Sequence, residues 1–265
     1  SGSRSGKGPQ KGSDIKVNLD LTFEEAAFGV EKDVVVNKFV NCNSCDGTGS
    51  KSKSTSTCPA CGGSGQVQVK QNTPFGQFVN VKTCDKCHGE GKIISDPCPE
   101  CGGRGKSRKS VNIKVKIPAG IDQGQTISMR GQGDPGTRGG PAGELLVTVR
   151  VKTHSLFRRD GFDVYCDIPI TFAEAVLGSE IQVPTLDGRV QYTIPEGTQT
   201  GTRFRLKGKG IPHLQRSGRG DQFVNVKVQV PQKLTEHQKQ LLREFNESLN
   251  GEALKDEKKG FFKKR

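Results

Sequence analysis

The sequence lacks tryptophan altogether and contains only two tyrosines and one methionine. No stretch approaches the roughly 18 apolar residues that a transmembrane helix needs, which excludes a helical membrane protein. Leucine is also scarce, with 14 residues against 35 valines and isoleucines. Because β-branched residues favour strands, this ratio argues against a helix bundle and for a β-rich fold.

The start of the sequence also lacks familiar signals. The single methionine is Met129, so the chain does not begin at an initiator residue. No secretory signal is visible. We therefore expect a fragment or a processed product, with an N-terminal part missing, and a cytoplasmic location.

Two stretches of the chain repeat one pattern. DIKVNLDLTFEEAAFG, from Asp14, and DVYCDIPITFAEAVLG, from Asp163, each alternate like a strand and end in a short helical turn stopped by glycine. The similarity resumes downstream, where residues 117–136 match 194–213. So many aligned matches indicate two copies of one β-rich unit.

Eight of the nine cysteines form four pairs, and each pair opens the same octet, C-x-x-C-x-G-x-G. A C-x-x-C turn directs two sulfurs at one tetrahedral centre, and the following glycines permit the positive-φ backbone that points amides at thiolates. Four pairs supply the ligands of two closed Cys₄ zinc sites, so two Zn²⁺ ions are the predicted cofactors. The pairs are Cys42/Cys45, Cys58/Cys61, Cys84/Cys87 and Cys98/Cys101.

The segments between the pairs predict which of them share a metal. Residues 66–70 and 77–82 alternate like the two strands of a hairpin, which would bring the second and third pairs together. Residues 34–40 and 107–117 are predicted strands of the parent domain and would join the first and fourth pairs. We therefore predict nested sites, Zn 1 on Cys42, Cys45, Cys98 and Cys101, and Zn 2 on Cys58, Cys61, Cys84 and Cys87.

A helix is predicted near the C-terminus. Apolar residues recur at near-helical spacing, and Thr235 with Gln238 fits a capping box. The apolar residues are Leu234, Leu241, Leu242, Phe245 and Leu249. The predicted segments are a flexible Gly-rich linker (1–13), a first β-domain (14–40 plus 107–153), a cysteine-rich module (41–106), a second β-domain (160–231), a helix (232–250) and a charged, disordered tail (251–265).

The fourfold octet inside the first of two β-repeats resembles the type I (class A) J-domain co-chaperones of the DnaJ/Hsp40 family, over residues 14–250. PFGQF and the short loops between the pairs resemble bacterial members. No His-Pro-Asp tripeptide occurs, so the J-domain with which the family stimulates the Hsp70 ATPase is not expected here. The fold expected is mainly β, with two sandwich-like or barrel-like peptide-binding domains, the inserted two-zinc module and a C-terminal helix.

The resemblance implies that the chain binds unfolded polypeptides, holds them against aggregation and delivers them to an Hsp70 (DnaK) partner. A client segment would add as an extra strand to the first β-domain and place one apolar side chain in a pocket. Carried over by position, that pocket consists of Ile15, Val34, Val36, Ile113 and Val147. Taken by themselves, aliphatic residues on alternating strands favour a plain core, and it is the resemblance that favours a groove.

The resemblance also implies a homodimer through the C-terminal helix, which would present two grooves to one client. The alternative is a helix that folds back onto the second β-domain. That domain either carries a weaker apolar patch around Phe172 or only spaces the molecule.

Two other functions fit the sequence less well. A zinc-dependent nucleic-acid binder is disfavoured because residues 42–101, with eight thiolates and two Zn²⁺, carry a net charge of −3 although the whole chain is +13. A thiol-disulfide oxidoreductase needs exposed thiols of low pKa. Four disulfides would need an oxidising compartment.

The four histidines are scattered singly, so no catalytic constellation and no enzyme is expected. Cys166 is expected to be a small buried hydrophobe.

Overall fold

The computed structural model describes residues 8–73 and 76–261. The chain divides into two compact units, one of residues 1–155 with 211–219 and one of residues 156–210 with 220–265. The fold is mainly β, as predicted. Within the described residues no helix is both long and apolar enough to cross a membrane.

The first unit holds two small sheets around one core, and an inserted cysteine-rich module with two further sheets. Its elements are β1 (Ile15–Leu21), α1 (Phe23–Phe28), β2 (Val30–Asn41), β3 (Ser56–Thr57), β4 (Gln66–Thr73), β5 (Gly76–Thr83), β6 (Lys92–Ile93), β7 (Lys106–Ile117), β8 (Thr126–Met129) and β9 (Leu145–Val151). The sheets have the orders β1-β9-β8, β2-β7, β3-β6 and β4-β5.

The second unit repeats the β1-α1-β2 pattern and ends in a long helix. Its elements are β10 (Phe157–Asp160), β11 (Asp163–Thr171), α2 (Phe172–Leu177), β12 (Ser179–Thr185), β13 (Gly188–Ile194), β14 (Arg203–Leu206), β15 (Gln222–Gln229) and α3 (Glu236–Phe261). Its sheets have the orders β10-β11-β15-β14 and β12-β13.

The repeat seen in the sequence is also a repeat of local structure. Thr22 and Thr171 each begin a six-residue helix with a complete capping box, closed by Glu25 and Glu174. Each helix ends at a glycine with positive φ, 78° in the first copy and 73° in the second. The short motif therefore specifies the same turn twice through its own hydrogen bonds.

The β2–β7 ladder supports the inserted module. Twelve residues of each strand pair without interruption, from Val30 with Ile117 to Asn41 with Lys106. Side chains of β2 alternate between exposed and inward positions, and the inward ones pack in a core of β1, β7 and β9. Period-two alternation of valine with polar residues is what places one face of this ladder in the core.

Two segment predictions differ from the structure. The described part of the predicted flexible linker is held against the first β-domain. Gln10 pairs with Thr137 through backbone hydrogen bonds of 3.0 and 2.9 Å. No apolar anchor is needed because the backbone itself makes the contact. Residues 1–7 and 262–265 lie outside the described residues.

Helix α3 continues past the predicted boundary and through most of the expected disordered tail, as far as Phe261. The predicted capping box at its start is present, with Gln238 N–H donating to Thr235 Oγ1 at 3.3 Å and Thr235 N–H to Gln238 Oε1 at 2.9 Å. A glycine inside a helix costs only about 1 kcal/mol, so Gly251 does not stop it.

Candidate metal centres and strand-binding edge

The eight paired cysteines form two clusters. The structure brings the first pair together with the fourth and the second with the third, and the four sulfurs of each cluster lie within 4.8 Å of one another. This is the nested arrangement expected from the intervening strands. All nine cysteines are free thiols, and Cys166, buried in β11, belongs to neither cluster.

The spacing of the sulfurs fits tetrahedral zinc. A tetrahedron with Zn–S bonds of about 2.3 Å has sulfur–sulfur edges of about 3.8 Å. The observed separations across the paired turns are 3.7 to 3.9 Å. They join Cys42 with Cys98, Cys45 with Cys101, Cys58 with Cys84, and Cys61 with Cys87. The donor set therefore fits two Cys₄ ions without rearrangement.

The second glycine of each octet supplies a hydrogen bond to a sulfur. Its N–H donates to the second cysteine of the same octet at 3.2 to 3.3 Å. The donors are Gly49, Gly65, Gly91 and Gly105, all with positive φ. These donors stabilise thiolate over thiol, as the ligands of a zinc ion require.

A close backbone approach explains why these positions are glycine. A Cβ on Gly65 would lie 2.4 Å from the carbonyl oxygen of Gly89, in the partner octet. A Cβ on Gly105 would lie 2.3 Å from the carbonyl oxygen of Gly47. The two octets of each cluster therefore cross so closely that only glycine fits.

In the first and second turns the two cysteines have very different electrostatic environments. Burial raises the pKa of Cys42 and of Cys58 to about 11. Burial also raises the pKa of Cys45 and Cys61, but the glycine N–H donors and neighbouring thiols outweigh it. They lower the pKa to about 7 for Cys45 and about 6 for Cys61. In these two turns the second sulfur is therefore prepared as an anion.

The two clusters are carried by different strands. The first lies where the long β2–β7 ladder ends, and Cys42 N–H continues that ladder by donating to Gly105 O at 2.9 Å. The second lies at the base of the β4–β5 hairpin, where Cys84 N–H donates to Gly65 O at 3.0 Å. The predicted turn of this hairpin, at residues 74–75, lies outside the described residues.

Strand β2 has a free edge. The N–H of Phe39 donates to the Asp134 carboxylate at 2.8 Å and not to strand β7. The backbone groups of Phe39 therefore point away from β7. Backbone groups alternate sides along an antiparallel strand. Asp33, Val35 and Asn37 therefore also present N–H and C=O at this edge, where β2 has no strand partner within the described ranges.

The sequence analysis implied an exposed strand in the first β-domain but did not identify β2, although one signal was visible. Val35 interrupts the alternation of β2, because it stands between Val34 and Val36, and its side chain is 67% exposed. An outward-facing valine on an unpaired strand is unusual for a solvated surface. It makes the edge suitable for pairing with an extended segment.

The five predicted pocket residues lie in one apolar cluster, but they differ in exposure. Val36, Ile113 and Val147 are buried, at 1%, 6% and 0% exposed. Ile15 and Val34 are only partly buried and pack against them. A ligand side chain could reach Ile15 and Val34, whereas the other three residues form the floor beneath.

The second unit carries an apolar groove of about 1050 Å³ between α2 and α3. The rings of Phe172 and Phe245 meet edge-on at 6.0 Å. Both rings remain about 40% exposed, and so do other apolar residues of α3. The helix thus rests on α2 and leaves a continuous apolar face, formed by Leu241, Leu242, Phe245 and Leu249.

Comparisons with known proteins agree with this geometry. A family model described as the DnaJ C-terminal domain matches residues 15–231, and one described as the chaperone protein DnaJ C-terminal region matches residues 237–264. The chain is 58% identical over 259 residues to the chaperone protein DnaJ of Acetivibrio thermocellus, covering 97% of this chain and 67% of that protein. It is 59% identical over 263 residues to that of Ruminiclostridium cellulolyticum, covering 99% and 69%.

Proposed function

The chain belongs to the DnaJ C-terminal domain family, and from that membership we propose that it is a DnaJ-type co-chaperone. It binds unfolded polypeptides, holds them against aggregation and hands them to an Hsp70 partner of the DnaK type in the cytoplasm. The observation that carries this proposal is the free edge of β2 beside a partly open apolar pocket.

The edge and the pocket supply different parts of recognition. Main-chain hydrogen bonds from Asp33, Val35 and Asn37 depend little on client sequence, so many unfolded segments can pair. The pocket at Ile15 and Val34 favours segments with a large apolar side chain. Such a binder prefers the composition that unfolded chains expose and folded proteins bury.

The decisive experiment combines two measurements on the whole chain. We expect two zinc ions per chain together with suppressed aggregation of a denatured model protein. Site-resolved amide exchange should show that a Leu-containing peptide of serine, threonine and alanine protects the amides of Asp33, Val35 and Asn37. An absence of protection at these amides would contradict the proposed binding mode.

Replacing Val34 with aspartate is expected to weaken binding of that peptide. The change removes apolar contact worth about 1–2 kcal/mol and adds a charge, so about a tenfold rise in Kd is expected by fluorescence anisotropy. Val30→Asp is the matched control, since Val30 lies on the same face of β2 but roughly 13 Å along it. Val36 and Ile113 are poorer targets, because an aspartate there would disrupt the core itself.

We further propose that two structural Zn²⁺ ions occupy the two Cys₄ clusters, as the sulfur spacing supports. When bound, each ion holds four thiolates and stabilises the fold of a segment with little apolar core. The chain's own glycine amides and the β2–β7 ladder position the sulfurs. From the family resemblance we also propose that the second ion takes part in the transfer of clients to Hsp70.

A homodimer through α3 is also proposed. The apolar face of α3, at 40–52% exposure, supports it, because a solvated helix rarely presents such a stripe. We expect Leu241→Asp to lower the sedimentation mass from two chains to one. Lys239→Asp, on a polar position of the same helix, should leave the dimer intact, and a dimeric Leu241→Asp variant would contradict this role of α3.

The two rival functions have less support. All eight paired thiols are committed to closed clusters, and only Cys61 among them is partly exposed, which leaves little room for thiol-disulfide exchange. The negative charge of the metallated module disfavours contact with phosphates.

A further inference from the structure

The free edge of β2 ends at a specific side chain. Asp134 Oδ1 accepts the Phe39 N–H at 2.8 Å. Without Asp134, this N–H would be available to a backbone carbonyl of an added strand. Asp134 lies in residues 130–143, here called the capping loop. Lys38 Nζ donates to Gln132 O at 2.9 Å and Lys106 Nζ to Pro135 O at 2.7 Å, so the ladder also fixes the loop on both sides of Asp134.

Asp134 is itself held by the segment that precedes β1. Its N–H donates to Ser13 O at 3.0 Å, and its carbonyl accepts the Gly143 N–H at 2.9 Å. Gly12 approaches so closely that a Cβ there would lie 1.9 Å from Asp134 O. Residues 10–13, here called the anchor segment, therefore touch the same residue that caps the β2 edge.

The glycines of the capping loop serve this contact. Gly140 and Gly143 do not have positive φ, so conformational freedom is not the reason for them. A Cβ on Gly140 would lie 2.0 Å from Gln10 O, and one on Gly143 would lie 2.1 Å from Ser13 O. Backbone lying directly on backbone leaves no space for a side chain.

The second repeat lacks this feature at the aligned position. Residues 117–136 align with 194–213, so Ile211 stands where the first repeat has Asp134. An isoleucine side chain accepts no hydrogen bond. The carboxylate is therefore not required by the repeated fold, which leaves a role particular to the first copy.

We propose that Asp134 sets the length of client segment that β2 can bind, and that the anchor segment holds Asp134 in place to do so. This inference rests on the proposed binding of clients at the β2 edge. With Asp134 in place, an added strand pairs opposite Glu31 to Asn37 and stops. Displacing the anchor segment releases the carboxylate, exposes the Phe39 amide and lengthens the edge towards the zinc module.

The test uses the whole chain and serine-threonine-alanine peptides with one central leucine. One peptide has seven residues, the length of Glu31–Asn37, and two others extend it by two residues at either the amino or the carboxyl end. In Asp134→Ala we expect the Phe39 amide to exchange at least about tenfold faster. One of the two extended peptides should bind about threefold to tenfold tighter than it binds the unaltered chain.

Asp134→Asn is the matched control, because its amide oxygen still accepts the Phe39 N–H. It should behave like the unaltered chain in both measurements. Unchanged exchange at the Val34 and Val36 amides, which pair with β7, verifies that the ladder stays folded in each variant.

The anchor segment is tested by Gly12→Ala, whose Cβ cannot coexist with Asp134 O at 1.9 Å. It should accelerate Phe39 exchange in the same way as Asp134→Ala. Gly8→Ala has open space around its Cβ and should change nothing.

The outcomes separate the two proposals. If no peptide protects Asp33, Val35 and Asn37 in the unaltered chain, binding at the β2 edge is wrong. If these amides are protected but Asp134→Ala changes neither Phe39 exchange nor the preference for longer peptides, the assignment of Asp134 is wrong. If Asp134→Ala acts as expected and Gly12→Ala does not, the role of the anchor segment is wrong.

Discussion

Replacing Cys45 with serine is expected to lower the zinc content from two ions to one per chain and to expose three particular thiols. Cys42, Cys98 and Cys101 share a cluster with Cys45, so all three should become reactive towards an alkylating reagent. The other four paired cysteines should stay protected, because the β4–β5 hairpin carries their cluster independently. Since four ligands together contribute about 10–16 kcal/mol, losing one should weaken that site at least a hundredfold, by order of magnitude.

The measurement is zinc content after dialysis against a weak chelator, with alkylated cysteines mapped by mass spectrometry. Cys166→Ser is the control and should retain two ions, because Cys166 lies in neither cluster. If the pairs instead shared metal in chain order, Cys45→Ser would expose Cys42, Cys58 and Cys61. That pattern would contradict the nested arrangement.

Replacing Val35 with proline is expected to abolish most client binding while leaving the β2–β7 ladder intact. The Val35 N–H points to the free edge, so the ladder loses no hydrogen bond. Proline is tolerated at such positions of edge strands. The ring removes one donor and obstructs the approach of an added strand, so the Kd of the seven-residue peptide should rise at least about tenfold.

Asn112→Pro is the matched control. Asn112 lies directly opposite Val35 in the register, and its N–H points to the other edge of the same ladder. If the client adds to β2, this variant should bind like the unaltered chain. Equal losses in both variants would indicate general damage to the ladder, and an unimpaired Val35→Pro variant would contradict pairing at the β2 edge.

Much of the candidate site could be predicted from short stretches of sequence. Each octet contains its own turn, its own glycine donor and its own two sulfurs, so its geometry is local. The capping boxes at Thr22, Thr171 and Thr235 are likewise closed within four residues. The nested grouping of the clusters could be predicted because one strand pair flanks the first and fourth octets. The other strand pair lies between the second and third octets.

The groove was harder to predict, because its residues look like any alternating core. The sequence does not distinguish Val34, which is partly open, from Val36, which is buried, since both face inward on β2. The difference depends on how the rest of the cluster packs around the two side chains. The helix α3 was also predicted incompletely, because the charged composition of residues 251–265 indicated a disordered tail, whereas the helix continues to Phe261.

Local order in this protein thus follows from its residues, because turns, caps and strand periods depend on neighbours a few positions apart. Which backbone groups stay unpaired depends instead on contacts between distant segments. Phe39 and Asp134 are 95 positions apart, and Gln10 and Thr137 are 127 apart. The periodicity of the sequence does not reveal such distant pairs. Only the tertiary structure therefore shows the free edge of β2, its end at Asp134 and the docking of the anchor segment.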